Sequence, residues 1–218
     1  MKVGTDGVLL GAWTDIGNAQ NMLDVGTGTG LVAMMLSQRC NHSFPIDAID
    51  IDADAVVQAT ENISREGFGN IKCFHVALAD YAEQTTGCYD LIVSNPPYFA
   101  SSLHSPDKQR TLARHTHMLP VADLIGMSAS LLNEGGRISI VFPYQDKDLL
   151  IRLAADNGLF VSRITNVRPT LGSGFKRVLL EFSNISCPLF EDEMLIEESR
   201  HVYSAAFKTM LKDFYLKF

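Results

Sequence analysis

The sequence has no apolar run approaching the roughly 18 residues that a membrane span requires, and no basic N-terminal segment followed by a long apolar stretch. Neither a membrane partner nor a secretory leader is expected. Its four cysteines, Cys40, Cys73, Cys88 and Cys187, include no C-x-x-C pair and no histidine at ligand spacing. His115 and His117 stand two apart, but no Cys, Asp or Glu nearby completes a ligand set. A reduced, cytoplasmic protein without a metal is the expectation. Basic residues are also scarce: 18 Lys and Arg stand against 25 Asp and Glu, a formal charge of -7, with an isoelectric point near 5.3. That balance argues against a strongly basic nucleic-acid binder. Internal repeats, low-complexity tracts and linkers are missing too, so residues 1–218 are expected to form one domain.

What is present suits a compact fold. Hydrophobic residues make up 46% and charged residues 20% of the chain, and mean hydropathy is +0.07. Charge is unevenly spread: residues 1–100 carry 4 basic and 12 acidic side chains, whereas residues 101–180 carry 10 and 6. The cationic middle is densest from His104 to His117, with Lys108, Arg110 and Arg114. It reads either as a solvated loop or as an anion-binding segment.

Strand-length apolar runs alternate with helical periodicity, the pattern of an α/β domain with a mostly parallel sheet. Strands are predicted at 22–25, 45–51, 71–76, 89–94, 137–142, 159–167 and 175–182, the last two close enough for an antiparallel pair. Helices are predicted at 31–39, 53–65, 121–132, 146–157 and 200–214. Asp52 is a plausible N-cap for the second of these.

Asp24-Val25-Gly26-Thr27-Gly28-Thr29-Gly30 ends the first strand and opens a helix, where a ligand can approach backbone unobstructed by Cβ atoms. The spacing G-x-G-x-G lacks the last interval of the dinucleotide fingerprint and has no P-loop lysine. By itself it also fits a tight strand-to-helix turn. Asp50, 20 residues after Gly30 at the end of the second strand, can accept from both ribose hydroxyls. Asp80, after the third strand, can accept from an adenine amino group or simply face solvent. A local surplus of acids disfavours a pyrophosphate but suits the sulfonium cation of S-adenosylmethionine, which makes NAD the weaker candidate.

Asn95-Pro96-Pro97-Tyr98 follows the fourth strand, so it lies at the same carboxyl edge of the sheet. An amino group conjugated to a base or carbonyl is a poor nucleophile. The Asn95 side-chain oxygen and the Pro96 carbonyl can each accept one N–H, directing the lone pair and stabilising developing positive charge. Tyr98 can stack on the planar group. The tetrapeptide alone also fits a rigid turn capped by Asn.

The pair DVGTGTG (Asp24 to Gly30) and NPPY (Asn95 to Tyr98) resembles class I, Rossmann-like amino-methyltransferases. The stretches MKVGTDGVLLGAW (Met1 to Trp13), RTLARH (Arg110 to His115), FKRVLLEF (Phe175 to Phe182) and YSAAFKTMLKDFYLKF (Tyr203 to Phe218) resemble bacterial tRNA adenine-N6 methyltransferases acting beside the anticodon of a valine tRNA. The resemblance implies a mostly parallel seven-stranded sheet with an antiparallel last strand and helices on both faces. It implies S-adenosyl-L-methionine as cofactor, with Gly26, Thr27, Gly28 and Gly30 shaping the pocket beside Asp24. Asp50 would bind the ribose, Ile51 would pack on the adenine, and Asp80 would contact its amino group. Thr5, Asp6 and Gly7 would lie near the methionine end, and Asn95, Pro96, Pro97 and Tyr98 would hold the target base. Lys108, Arg110, Arg114, Arg168, Lys176 and Arg177 are candidate phosphate contacts. The family usually has a short aromatic and basic segment before Met-Lys-Val-Gly, which leaves open a natural start upstream of Met1. A tRNA substrate is expected and no obligate protein partner. The same turn would also serve methylation of a glutamine amide in a protein, or of adenine in ribosomal RNA or DNA; a non-catalytic RNA-binding module is the remaining alternative.

Overall fold

A computed structural model describes residues 4–85, 88–97 and 120–215. The chain begins with helix α1 (Thr5–Trp13), then alternates: β1 (Met22–Val25), α2 (Leu31–Arg39), β2 (Ile46–Asp50), α3 (Ala53–Glu66), β3 (Ile71–His75), α4 (Leu78–Gln84), β4 (Tyr89–Ser94). After the turn at Asn95 come α5 (Val121–Ser130), β5 (Leu132–Pro143), a 3-10 turn (Tyr144–Asp146), α6 (Lys147–Asp156), β6 (Phe160–Thr170) and β7 (Arg177–Ser183). Two strands and a helix close the described chain: β8 (Phe190–Ser199), β9 (Val202–Tyr203) and α7 (Ala205–Leu211).

All nine strands join one sheet in the order β3-β2-β1-β4-β5-β7-β6-β8-β9. Strands β1 to β5 run parallel, and β7 runs antiparallel to both β5 and β6. The carboxyl ends of β1, β2, β3 and β4 therefore share one edge with the start of β7. Met22 to Val25 are buried throughout, as expected for a central parallel strand covered on both faces. One core packs α1, α2, α3 and α7 on one face through Leu9, Trp13, Leu36, Ile63 and Phe207. The other packs α4, α5 and α6 on the opposite face through Tyr81, Ile125, Leu150 and Phe182.

Local signals account for the elements beside the site. Asp52 caps α3, its Oδ1 accepting from the Asp54 and Ala55 N–H groups at 2.9 and 3.3 Å. Gly67 ends the helix with φ +77°. Helix α1 lies against α2 and is tied to the far half of the sheet by Trp13, whose Nε1 donates to Thr165 Oγ1 at 2.8 Å.

Among the described residues the sheet has nine strands where seven were expected. Strand β8 adds in parallel to the free edge of β6, and β9 folds back on it. The segment Phe190-Glu-Asp-Glu-Met-Leu-Ile-Glu-Glu-Ser is too acidic to read as a strand alone. It is accommodated because Lys147 and Arg168 meet Glu191 and Glu193 at 3.0 and 2.7 Å, and Thr165 hydrogen-bonds Asp192. The helix predicted at 200–214 is consequently shorter, with its first residues taken by β9.

Candidate active site

The glycine turn is held by the strand next to it. Gly26 and Thr27 donate their N–H groups to the Ile49 carbonyl at 2.9 and 3.0 Å, and Gly30 donates to the Thr27 carbonyl at 3.0 Å. Gly26, Gly28 and Gly30 have φ of +72°, +58° and +81°, a region that penalises side chains. A Cβ on Gly26 would meet nothing within 4 Å, so this side of the turn is open to a ligand, whereas one on Gly30 would come within 3.3 Å of Ile63 Cδ1. Two glycines thus serve different ends: Gly26 leaves space above the turn, and Gly30 lets α3 approach below it.

Asp24 sits under the turn. Its carboxylate is buried, 1% exposed, and accepts from Thr27 Oγ1 at 2.7 Å and from the Ala33 N–H at 3.2 Å. Burial pushes its pKa up to about 6; the two hydrogen bonds oppose this, and the charge of Asp50 adds to it. Asp24 thus fixes the turn from within rather than facing a ligand.

Asp50 links the two halves of the pocket. Its Oδ2 accepts from the Gly28 N–H at 2.8 Å and its Oδ1 from the Asp52 N–H at 2.9 Å. A half-buried carboxylate with these bonds still has acceptor capacity for two hydroxyls. Next to it, Ile51 is 54% exposed, an apolar side chain presented at the carboxyl edge. Asp80 is exposed in the first turn of α4, reached directly from the end of β3. Open glycine backbone, an acid with spare lone pairs and an exposed isoleucine form a donor and packing set that fits an adenosine without phosphates.

Asn95 emerges from β4 next to this pocket. Ser94 Oγ donates to the Val25 carbonyl at 2.8 Å, tying the end of β4 to the start of the glycine turn. Asn95 and Pro96 are half-buried and Pro97 is exposed. Helix α1 crosses behind them: a Cβ on Gly7 would lie 3.5 Å from Asn95 Nδ2 and 3.3 Å from Leu31 Cδ2. Gly7 is therefore part of the site's wall, a role its place in the stretch Thr5-Asp6-Gly7 hinted at without specifying. Asp6 accepts from Arg177 Nε at 2.8 Å, while Thr5 is exposed at the helix start.

The sheet thus gathers Thr5, Asp6, Asp24, Gly26, Thr27, Gly28, Gly30, Asp50, Ile51, Asp80, Asn95, Pro96 and Pro97 at its carboxyl edge. Arg168, Lys176 and Arg177 reach the same edge, because Pro143 at the end of β5 pairs with Arg177 and Val167 pairs with it from the other side. Lys176 is exposed, Arg168 is paired with Glu193, and Arg177 with Asp6. Tyr98, Lys108, Arg110, Arg114, His115 and His117 lie outside the described residues. Among the described residues, no group of three or more His, Cys, Asp or Glu is placed to hold a metal. No helix among them is long and apolar enough to cross a membrane.

The family model described as methyltransferase small domain matches residues 4–148. The chain is 47% identical to the tRNA1(Val) (adenine(37)-N6)-methyltransferase of Parabacteroides distasonis, over all of this chain and 92% of that protein. It is 40% identical to the protein so named in Trichodesmium erythraeum, with the same two coverages. The chain belongs to this methyltransferase family. Solved structures agree on the fold. A predicted O-methyltransferase from Agrobacterium tumefaciens superimposes with a TM-score of 0.73 at 16% identity, covering 95% of this chain and 96% of that one. A ribosomal protein L11 methylase from Lactobacillus delbrueckii gives 0.58 at 22% identity, covering 81% and 76%. The glycine turn and the Asn-Pro-Pro turn stand side by side at the same edge of this methyltransferase's sheet.

Proposed function

We propose that this methyltransferase moves a methyl group from S-adenosylmethionine to the exocyclic N6 of an adenosine in tRNA, the adenosine beside the anticodon of a valine tRNA. The observation that carries this reading is the placement of Asn95-Pro96-Pro97 directly against the glycine turn, bound to it through Ser94 and Val25. The curated relatives' names supply the acceptor, and the cations at the same edge, Lys176 exposed and Arg168 and Arg177 partly so, suit RNA.

The cofactor would lie over Gly26, Gly28 and Gly30, with its ribose on Asp50, its adenine between Ile51 and Asp80, and its methionine end toward Thr5 and Asp6. When bound, it supplies an electrophilic methyl group on a sulfonium whose departure leaves a neutral thioether. Asn95 and the Pro96 carbonyl accept the two N–H groups of the adenine, so that the nitrogen lone pair, normally delocalised into the ring, points along the line of transfer. Tyr98 stacks on the base. An anticodon-loop base can be splayed outward at lower cost than a base in a duplex. The extra proton on the methylated nitrogen is acidic enough to leave to water, so no strong side-chain base is required. Residues 1–218 work as one cytoplasmic methyltransferase domain without an obligate protein partner.

The test is incubation with isotopically labelled cofactor and unmodified tRNA, followed by nucleoside mass spectrometry and position mapping. Label in N6-methyladenosine of valine tRNA supports the reading. Label in protein, in ribosomal RNA or in no RNA overturns it.

A further inference from the structure

At the carboxyl edge, beyond the Asn-Pro-Pro turn, Tyr144 and Phe175 place their rings 5.0 Å apart, tilted by 44°. Tyr144 follows the end of β5 and Phe175 precedes β7, and the Tyr144 N–H donates to the Lys176 carbonyl at 3.1 Å, so the two approaches are fixed to each other. The Arg168 guanidinium lies 4.3 Å over the Phe175 ring and Lys147 Nζ 5.6 Å from the Tyr144 ring. Both rings are only half-buried. Each cation also meets a carboxylate of β8: Arg168 with Glu193, and Lys147 with Glu191. Those carboxylates are 58% and 43% exposed, so solvent screens the Arg168–Glu193 pair, whereas Lys147–Glu191 is held more firmly, with Lys147 19% exposed and Glu191 also accepting from Asn166 Nδ2 at 2.8 Å.

A core cluster would bury its rings, and a purely electrostatic surface would not need them. Two half-buried aromatic rings, each with a cation over it, make a surface that suits an unpaired nucleotide, the base stacking on a ring or on the guanidinium plane laid over it and the phosphate meeting the charge. Strand β5 neighbours β4, and Ser94 pairs with Ile140, three residues before Pro143. The cluster is therefore offset from Asn95 by only a few strand spacings of about 4.8 Å, within reach of nucleotides flanking the target.

We propose that Tyr144 and Phe175, with Arg168 and Lys147 over their rings, form a second RNA contact that stacks an unpaired base next to the target adenosine and binds its phosphate on the two cations in place of the β8 carboxylates. The proposal rests on the tRNA reading above and names a contact that reading does not require. In it, Glu191 and Glu193 hold the cations in position until a phosphate replaces them.

The full-length chain is titrated with fluorescently labelled, unmodified valine tRNA, and methyl transfer is followed in parallel. Phe175→Ala is expected to weaken tRNA binding about tenfold, with cofactor affinity unchanged and kcat at saturating tRNA retained, so that the loss appears in KM. Phe175→Leu keeps the apolar volume and must show the same loss, while Phe175→Trp must restore binding. Glu193→Gln should tighten binding at low salt by on the order of threefold, because one competitor for Arg168 is removed. Affinity within twofold of wild type for both Phe175→Ala and Phe175→Leu overturns the stacking contact, and equal or weaker binding by Glu193→Gln overturns the exchange. A wild-type chain that binds tRNA without methylating it defeats the methyl-transfer reading alone; the contact then stands or falls on the same affinity ratios.

Discussion

Asp6 at the start of α1 accepts a hydrogen bond from Arg177 Nε at 2.8 Å, joining residues 171 positions apart. The pair connects the helix that walls Asn95 with the first residue of the antiparallel strand β7. Their side chains are 25% and 34% exposed, so solvent screens the attraction and its contribution to stability is about 0.5–1 kcal/mol. Its larger consequence is positional. Arg177→Ala frees the start of α1, and Gly7 then no longer holds its distance to Asn95. We expect lower kcat with little change in melting temperature, and urea unfolding of Asp6→Asn, Arg177→Ala and the double variant should give a coupling below about 1 kcal/mol. A coupling of several kcal/mol would contradict the partly exposed geometry.

Asp50 makes a sharper prediction, because one carboxylate carries two tasks. Its oxygens fix Gly28 and Asp52 and are the acceptors offered to the cofactor ribose. Asp50→Ala removes both, and calorimetry should show cofactor affinity down by a factor of about 100, the loss of two charge-assisted hydrogen bonds at about 1.5 kcal/mol each. Asp50→Asn retains one acceptor and should fall between. If Asp50→Ala bound the cofactor as wild type does, the ribose assignment would be wrong.

Much of this edge was legible in the sequence because its devices are local. Glycines with positive φ, an N-capping Asp52 and a Pro-Pro stop each act within a few residues, so their order predicts the turn, α3 and the end of β4. The place of Asp50 at the end of β2 was legible from its spacing after the glycine turn. What was not legible depends on partners far away. The acidic β8 reads as a poor strand until Lys147 and Arg168 neutralise it and the edge of β6 needs pairing. Helix α1 has apolar residues all round rather than on one stripe, because it is buried between α2 and the sheet, so periodicity does not reveal it. The partnership of Tyr144 with Phe175 depends on β5 and β7 being neighbours, which no spacing announces. The overall charge of -7 misdirected as well: the acids concentrate in residues 1–100, which supply the pocket proposed for a cationic cofactor, while Arg168, Lys176 and Arg177 reach the same edge of the sheet.

Asn95 separates binding from chemistry. Its side chain is proposed to meet the adenine amino group and not the cofactor, so Asn95→Ala should lower kcat by about 100- to 1,000-fold while leaving cofactor affinity within about twofold. Single-turnover methylation with saturating tRNA, alongside calorimetry of the cofactor, measures the two quantities. Equal losses in both would remove Asn95 from its role at the amino group.

The last prediction concerns pH and follows from Asp24. Burial raises its pKa from the ordinary 3.8 to about 6 in the folded protein, so between these values the folded chain binds a proton that the unfolded chain has released. Stability from this group is therefore fully present below about pH 4 and is lost as pH rises through 6. The span of about two units corresponds to about 3 kcal/mol. Asp24→Asn keeps an oxygen for the Ala33 N–H and cannot ionise, so it isolates the effect. Relative to wild type, the variant should become more stable by about 3 kcal/mol on going from pH 4 to pH 8, read from urea unfolding at a series of pH values. Cofactor affinity of the wild type should rise across the same window, since an ionised Asp24 favours a nearby sulfonium cation, whereas that of the variant should stay flat. A constant stability difference between the two proteins from pH 4 to pH 8 would show that burial does not raise the Asp24 pKa, its bonds to Thr27 and Ala33 at least offsetting it.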